Sequence, residues 1–225
     1  MFRAEYRVIT YDHRGQGQSE VTLTGYDMDT LYEDAIGLIE QLGIAPVHFV
    51  GLSMGGFVGM RLAARRPDLL RSLILMETSA EGEPAENVPK YRTLSMVVKW
   101  PGTWAVAEPV MKIMFGKTFL NDPARADERQ YWTNQLKQNK RCIVRAVNGV
   151  IDRLPILPEL GNIKAPTLVI VGDEDVATIP AKAQKIHEHI AGSQLVVMQR
   201  GGHTSSIEEP EAVTGAIREF LKTTG

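Results

Sequence analysis

Short apolar, β-branched runs alternate with amphipathic stretches along most of the chain. Residues 6–11 (YRVITY), 47–50 (VHFV), 73–76 (LILM), 167–171 (TLVIV) and 194–198 (QLVVM) are too short for helices and rich in Val and Ile. Apolar runs of this length mark strands buried on both faces, as in a parallel sheet. Between the first two runs, apolar residues recur at Met28, Leu31, Ala35, Leu38, Ile39 and Leu42, the spacing of one helix face. Asp27 stands at the N-cap, and Gly43 follows the last periodic residue, where left-handed backbone often ends a helix. Residues 56–66 and 181–190 read as further helices, and 210–221 is another with Pro210 in its first turn. Alternation of this kind builds right-handed βαβ units. The pattern predicts an α/β fold: a mostly parallel sheet with helices on both faces.

Residues 81–160 interrupt the alternation. Helical patterns there are punctuated by Pro84, Pro89, Pro101, Pro109, Pro123, Pro155 and Pro158, and no convincing strand appears. All three tryptophans, Trp100, Trp104 and Trp132, lie in this stretch beside Met96, Met111, Met114, Phe115 and Phe119. The expected organisation is a core of residues 1–80 and 161–225 with a helical insertion of residues 81–160 over one edge of the sheet.

Composition narrows the partners. The 225 residues are 44% hydrophobic and 23% charged, and 25 Lys and Arg against 27 Asp and Glu leave a formal charge of -2. Disorder, a collagen-like repeat and a disulfide scaffold are excluded, and nothing offers a general electrostatic footprint for nucleic acid or an anionic membrane. Cys142 is the only cysteine, so no internal disulfide and no cysteine metal cluster can form. With no apolar leader and no membrane-length apolar run, a cytoplasmic location is expected.

The chemistry concentrates at strand ends. Gly51-Leu52-Ser53-Met54-Gly55-Gly56 follows the VHFV run and opens a helix, the setting a G-x-S-x-G nucleophile elbow requires. Small neighbours let the turn hold a serine in strained backbone, and the helix start aims free N–H groups at its hydroxyl. A serine nucleophile needs a base, and the base needs an orienting acid. His203, flanked by Gly201 and Gly202 after the last strand, is the expected base. His48 lies within a strand, His187 and His189 lie on a helix, and His13 occupies a loop at the correct edge. Asp175, after the TLVIV run, is the expected acid, with Asp173 a turn or capping residue and Glu77 the runner-up.

These segments resemble the α/β-hydrolase superfamily from residue 6 to the C-terminus. Asp12-His13-Arg14-Gly15-Gln16-Gly17-Gln18-Ser19 is similar to its D-x-R-G-x-G-x-S loop, and GLSMGG, VGDEDVATIP and GGHTSSIEEP are similar to its elbow, acid and histidine segments. The resemblance implies a catalytic triad of Ser53, Asp175 and His203, an oxyanion donor in the Met54 N–H, a helical cap at 81–160, and no cofactor or metal. GLSMGG is particularly similar to elbows of esterases, enol-lactonases and serine-dependent C–C hydrolases.

One departure matters. Members usually begin with two strands and a third ending in an H-G loop that supplies a second oxyanion N–H, and no such opening precedes MFRAEYRVITYD. The expected fold is therefore an N-terminally shortened α/β hydrolase. The YRVITY run is expected to move beside VHFV and bring His13, Arg14 and Gly15 near the vacated oxyanion position, or a homodimer to fill the gap. The resulting expectation is a serine hydrolase of small, largely apolar esters acting through an acyl-enzyme. The alternatives are lactone, enol-lactone or C–C bond hydrolysis, or a catalytically impaired binding protein.

Overall fold

The computed structural model describes residues 2–224. Four parallel strands, β1 (Val47–Leu52), β2 (Leu70–Met76), β3 (Thr167–Gly172) and β4 (Gln194–Met198), lie in the order β1-β2-β3-β4. The register sets Phe49 against Leu73, Leu75 against Val169 and Val169 against Leu195. Around the sheet are α1 (Met28–Gln41), α2 (Met54–Arg65), α8 (Pro180–His189), α9 (Ser205–Glu208) and α10 (Pro210–Lys222).

Side-chain alternation explains the two layers. Leu73, Leu75, Val169 and Val171 join Met28, Leu31, Phe57, Met60 and Ile186 in one buried cluster. Their neighbours Ile74, Met76, Leu168 and Ile170 join Val213, Ile217, Phe220 and Leu221 of α10 in the other. The central strands are therefore apolar on both faces, as their unbroken runs require. Asp27 caps α1 by accepting from Thr30 N at 2.9 Å, and Gly43 has φ +59°.

Between β2 and β3 the chain forms a helical cap of α3 (Val88–Lys99), α4 (Ala107–Met114), α5 (Lys117–Asn121), α6 (Ala126–Gln138) and α7 (Ile143–Ile151). A buried ion pair of Arg153 and Glu83 at 2.8 Å closes its base, with the guanidinium 4.5 Å from the Phe57 ring centroid. Removing either partner would strand a buried charge at a cost of about 3–5 kcal/mol.

Residues 6–11 correct the sequence reading. They form no strand, and β1 is paired only with β2 among the described residues. The run makes no backbone pairing with VHFV. A β-branched run becomes a strand only when a neighbour accepts its backbone. Here Tyr6 meets His48 edge-on at 5.8 Å through its ring, while Val8 and, on β1, Val50 stay exposed.

Candidate active site

Parallel strands bring their C-terminal ends to one edge of the sheet. Ser53 follows β1, Glu77 follows β2, Asp173, Glu174 and Asp175 follow β3, and the His203 loop follows β4. Every candidate from the elbow, acid and histidine segments therefore lies at the same edge.

Ser53 sits at φ +50°, ψ −109°, a conformation that side chains rarely adopt. Its N–H donates to Met76 O at 2.8 Å, and Thr78 Oγ1 donates to its carbonyl at 2.9 Å, so β2 holds the turn from both sides. The glycines are sterically necessary. A Cβ on Gly51 would stand 2.3 Å from Gly55 O, and one on Gly56 would stand 2.5 Å from Thr78 Oγ1. The N–H groups of Met54 and Gly55 open α2, where helix geometry leaves them without an intrahelical acceptor.

His203 and Asp175 form a buried pair, with Nδ1 2.9 Å from Oδ2. Asp175 is saturated with donors: Ala177 N at 2.8 Å and Thr178 N at 2.9 Å reach Oδ1, and Thr178 Oγ1 donates to Oδ2 at 2.6 Å. Burial pushes its carboxyl up, but the bonds from His203 and Thr178 outweigh that and hold it below 3.8. Asp175 is thus a fixed negative partner for the imidazole. His203 Nε2 has no partner among the described residues, and Ser53 Oγ is likewise not hydrogen-bonded. Thr178 escaped the sequence reading, although a threonine three residues after an aspartate is the spacing of a side-chain-closed turn.

Glu77 is a different kind of carboxyl. It is fully buried, at φ +42°; Ser205 Oγ donates to Oε1, and Oε2 has no partner among the described residues. Burial pushes its pKa well above 4.5, with Asp175 and Glu208 adding to the rise. A raised acid stabilises the fold fully below the unfolded value near 4.5, and that contribution is lost as pH climbs through the folded value. Glu77→Gln, a mimic of the neutral acid, should melt level with wild type near pH 4 and increasingly above it at higher pH. Thermal melts across pH test this; a difference that does not change with pH would contradict it.

The remaining histidines have local duties. His48 Nδ1 pairs with Ser72 Oγ, His187 Nδ1 with Ser193 Oγ, and His189 Nδ1 with Lys185 O, each at 2.8 Å. His13 packs edge-on against Tyr11 at 4.9 Å, and burial lowers its pKa. In the loop expected near the oxyanion position, the Arg14 guanidinium is paired with Asp34 and the Gly15 N–H donates to Glu20 O at 2.7 Å. Asp173 Oδ1 accepts from Arg200 N at 2.7 Å, tying the acid loop to the histidine loop.

The apolar cap residues divide into two groups. Met111, Phe115 and Phe119 are core, with Phe115 and Phe119 stacked at 4.6 Å. Trp100, Trp104 and Met96 are instead exposed, and so wall no enclosed pocket. Among the described residues there is no group of three or more His, Cys, Asp or Glu that could hold a metal, and no helix long and apolar enough to cross a membrane.

Comparisons with known proteins agree with this fold. A family model described as alpha/beta hydrolase fold matches residues 2–210. The chain is 30% identical over 221 residues to 3-oxoadipate enol-lactonase 2 of Acinetobacter baylyi, covering 98% of this chain and 80% of that protein. Its structure superposes on the enol-lactonase from Burkholderia xenovorans LB400 with TM-score 0.85 and 31% identity, covering 94% and 79% of the two chains. The thermophilic esterase from Thermogutta terrifontis gives TM-score 0.89 at 31% identity, covering 99% and 82%.

Proposed function

The chain belongs to the α/β-hydrolase family, and from that premise we propose that it is a serine hydrolase cleaving small carboxylic esters through an acyl-enzyme. The observation that carries this reading is the buried Asp175–His203 pair at the same sheet edge as the strained Ser53. His203 Nε2 takes the Ser53 proton as Oγ attacks the ester carbonyl. Asp175 holds the ring in the tautomer with hydrogen on Nδ1 and stabilises the imidazolium. The Met54 N–H, at the positive end of α2, faces the developing oxyanion. Collapse of the tetrahedral intermediate passes the proton to the departing alcohol and leaves acyl-Ser53. Water deprotonated by His203 then attacks the acyl carbon, releasing the acid and returning the proton to Ser53.

Hydrolysis of a lactone or enol-lactone uses the same steps, with the alcohol tethered to the acyl group. The named enol-lactonases at 30% and 31% identity favour it as the second reading. A fluorophosphonate label mapped by peptide mass, combined with turnover of short p-nitrophenyl esters and a lactone panel, tests both. The expected result is label on Ser53 and ester turnover. A folded sample with neither would sink the enzyme reading, and turnover of lactones alone would favour the second.

A further inference from the structure

The buried carboxylate of Glu208, at the end of α9, accepts from both sides of the proposed base. Gly202 N donates to Oε1 at 3.0 Å, and Thr204 N and Oγ1 donate to the same oxygen at 3.3 and 3.1 Å. The other oxygen faces the cap: Gly116 N, in the turn between α4 and α5, donates to Oε2 at 2.8 Å. Thr204 Oγ1 also lies 2.9 Å from Met114 O in that turn. The acid loop repeats the contact. Thr118 N and Oγ1 both donate to Glu174, beside Asp175, at 2.7 Å. The two backbones are in close approach, since a Cβ on Gly202 would stand 2.1 Å from Gly116 N. Arg125 donates to Glu208 O at 2.8 Å while lying 4.3 Å over the Phe119 ring.

We propose that Glu208 is a positioning residue that fixes His203 and the cap turn at residues 114–118 as one unit. Its two oxygens divide the work: Oε1 holds the peptides flanking His203, and Oε2 holds the cap. Neither partner can shift without lengthening a buried hydrogen bond to Glu208. The α4–α5 corner of the cap is therefore held against the His203 loop through Glu208, with Thr204 and Glu174 adding contacts of their own. The kinetic part of this inference rests on the serine-hydrolase reading; the mechanical part does not.

Glu208→Gln keeps the shape but turns an NH2 group toward one set of donors. The expected result is a fall of about tenfold to a hundredfold in both kcat and the rate of fluorophosphonate labelling at Ser53. Amide hydrogen exchange at Gly116 and Gly202 should accelerate together, while the amides of β2 and β3 keep wild-type protection. If Glu208→Gln does not fold, Thr204→Val removes the bridging hydroxyl without a change of charge, and both signals should move by a smaller factor. Faster exchange at Gly116 with Gly202 exchange and labelling unchanged would reduce Glu208 to a cap anchor and overturn the proposal. Unchanged exchange at both amides would overturn it as well. A wild-type protein that neither labels nor turns over would instead fail the hydrolase reading, and the coupled exchange would still decide the mechanical claim.

Discussion

Ser53→Gly is expected to give a protein that hydrolyses nothing measurable and melts above wild type. The proposed nucleophile is gone, so kcat should fall by about 10⁶-fold, the loss typical when a triad serine is removed. The fold should gain, because φ +50°, ψ −109° costs an L residue about 1–3 kcal/mol and costs glycine little. Glycine's looser unfolded chain returns about 0.4–1 kcal/mol of that. For a chain of this length each remaining kcal/mol raises Tm by roughly 2–4 °C. Ser53→Ala is the control: equally inactive, but keeping the strained backbone and therefore the wild-type Tm. Turnover assays and thermal melts of the three proteins read both halves. Substantial turnover by the glycine variant would remove Ser53 from the mechanism, and identical melting of all three would mean that the elbow stores no strain.

Asp175→Asn should cost about 10⁴ in kcat while binding of substrate changes little. An asparagine turns an NH2 group either toward Nδ1 of His203 and Thr178 Oγ1, favouring the wrong tautomer, or toward Ala177 N and Thr178 N, which have no use for a donor. The effect on stability has a definite sign. The Asp175 pKa is depressed below 3.8, so its contribution is complete above that value and is lost as pH falls through the folded value. The difference in unfolding free energy between wild type and Asp175→Asn should therefore be constant near neutrality and shrink below about pH 4. Denaturant melts at several pH values measure it; a difference that grows toward acid would contradict the assigned charge.

Local signals were legible and distant ones were not. The residues 73–76, 167–171 and 194–198 became strands because their apolar faces had helices to meet on both sides. Gly51 and Gly56 announced the elbow because the steric demand is local: they must leave room for backbone and Thr78 within 3 Å. Residues 6–11 carried the same β-branched signal, but a strand is a property of two chain segments, and among the described residues this one has no strand partner. Glu208 looked like one more acidic residue before Pro210. Its partner Gly116 is 92 residues away, and no periodicity encodes such a meeting.

The strand order β1-β2-β3-β4 runs in the order of synthesis. A chain is made from its N-terminal side, so Ser53 is made before Asp175, and His203 follows 28 residues after Asp175. Until that histidine emerges, Ser53 and Asp175 are both made but lack the imidazole that pairs with Asp175. On the proposed serine-hydrolase reading, the nascent chain cannot cleave esters until β4 and the His203 loop have followed β1, β2 and β3.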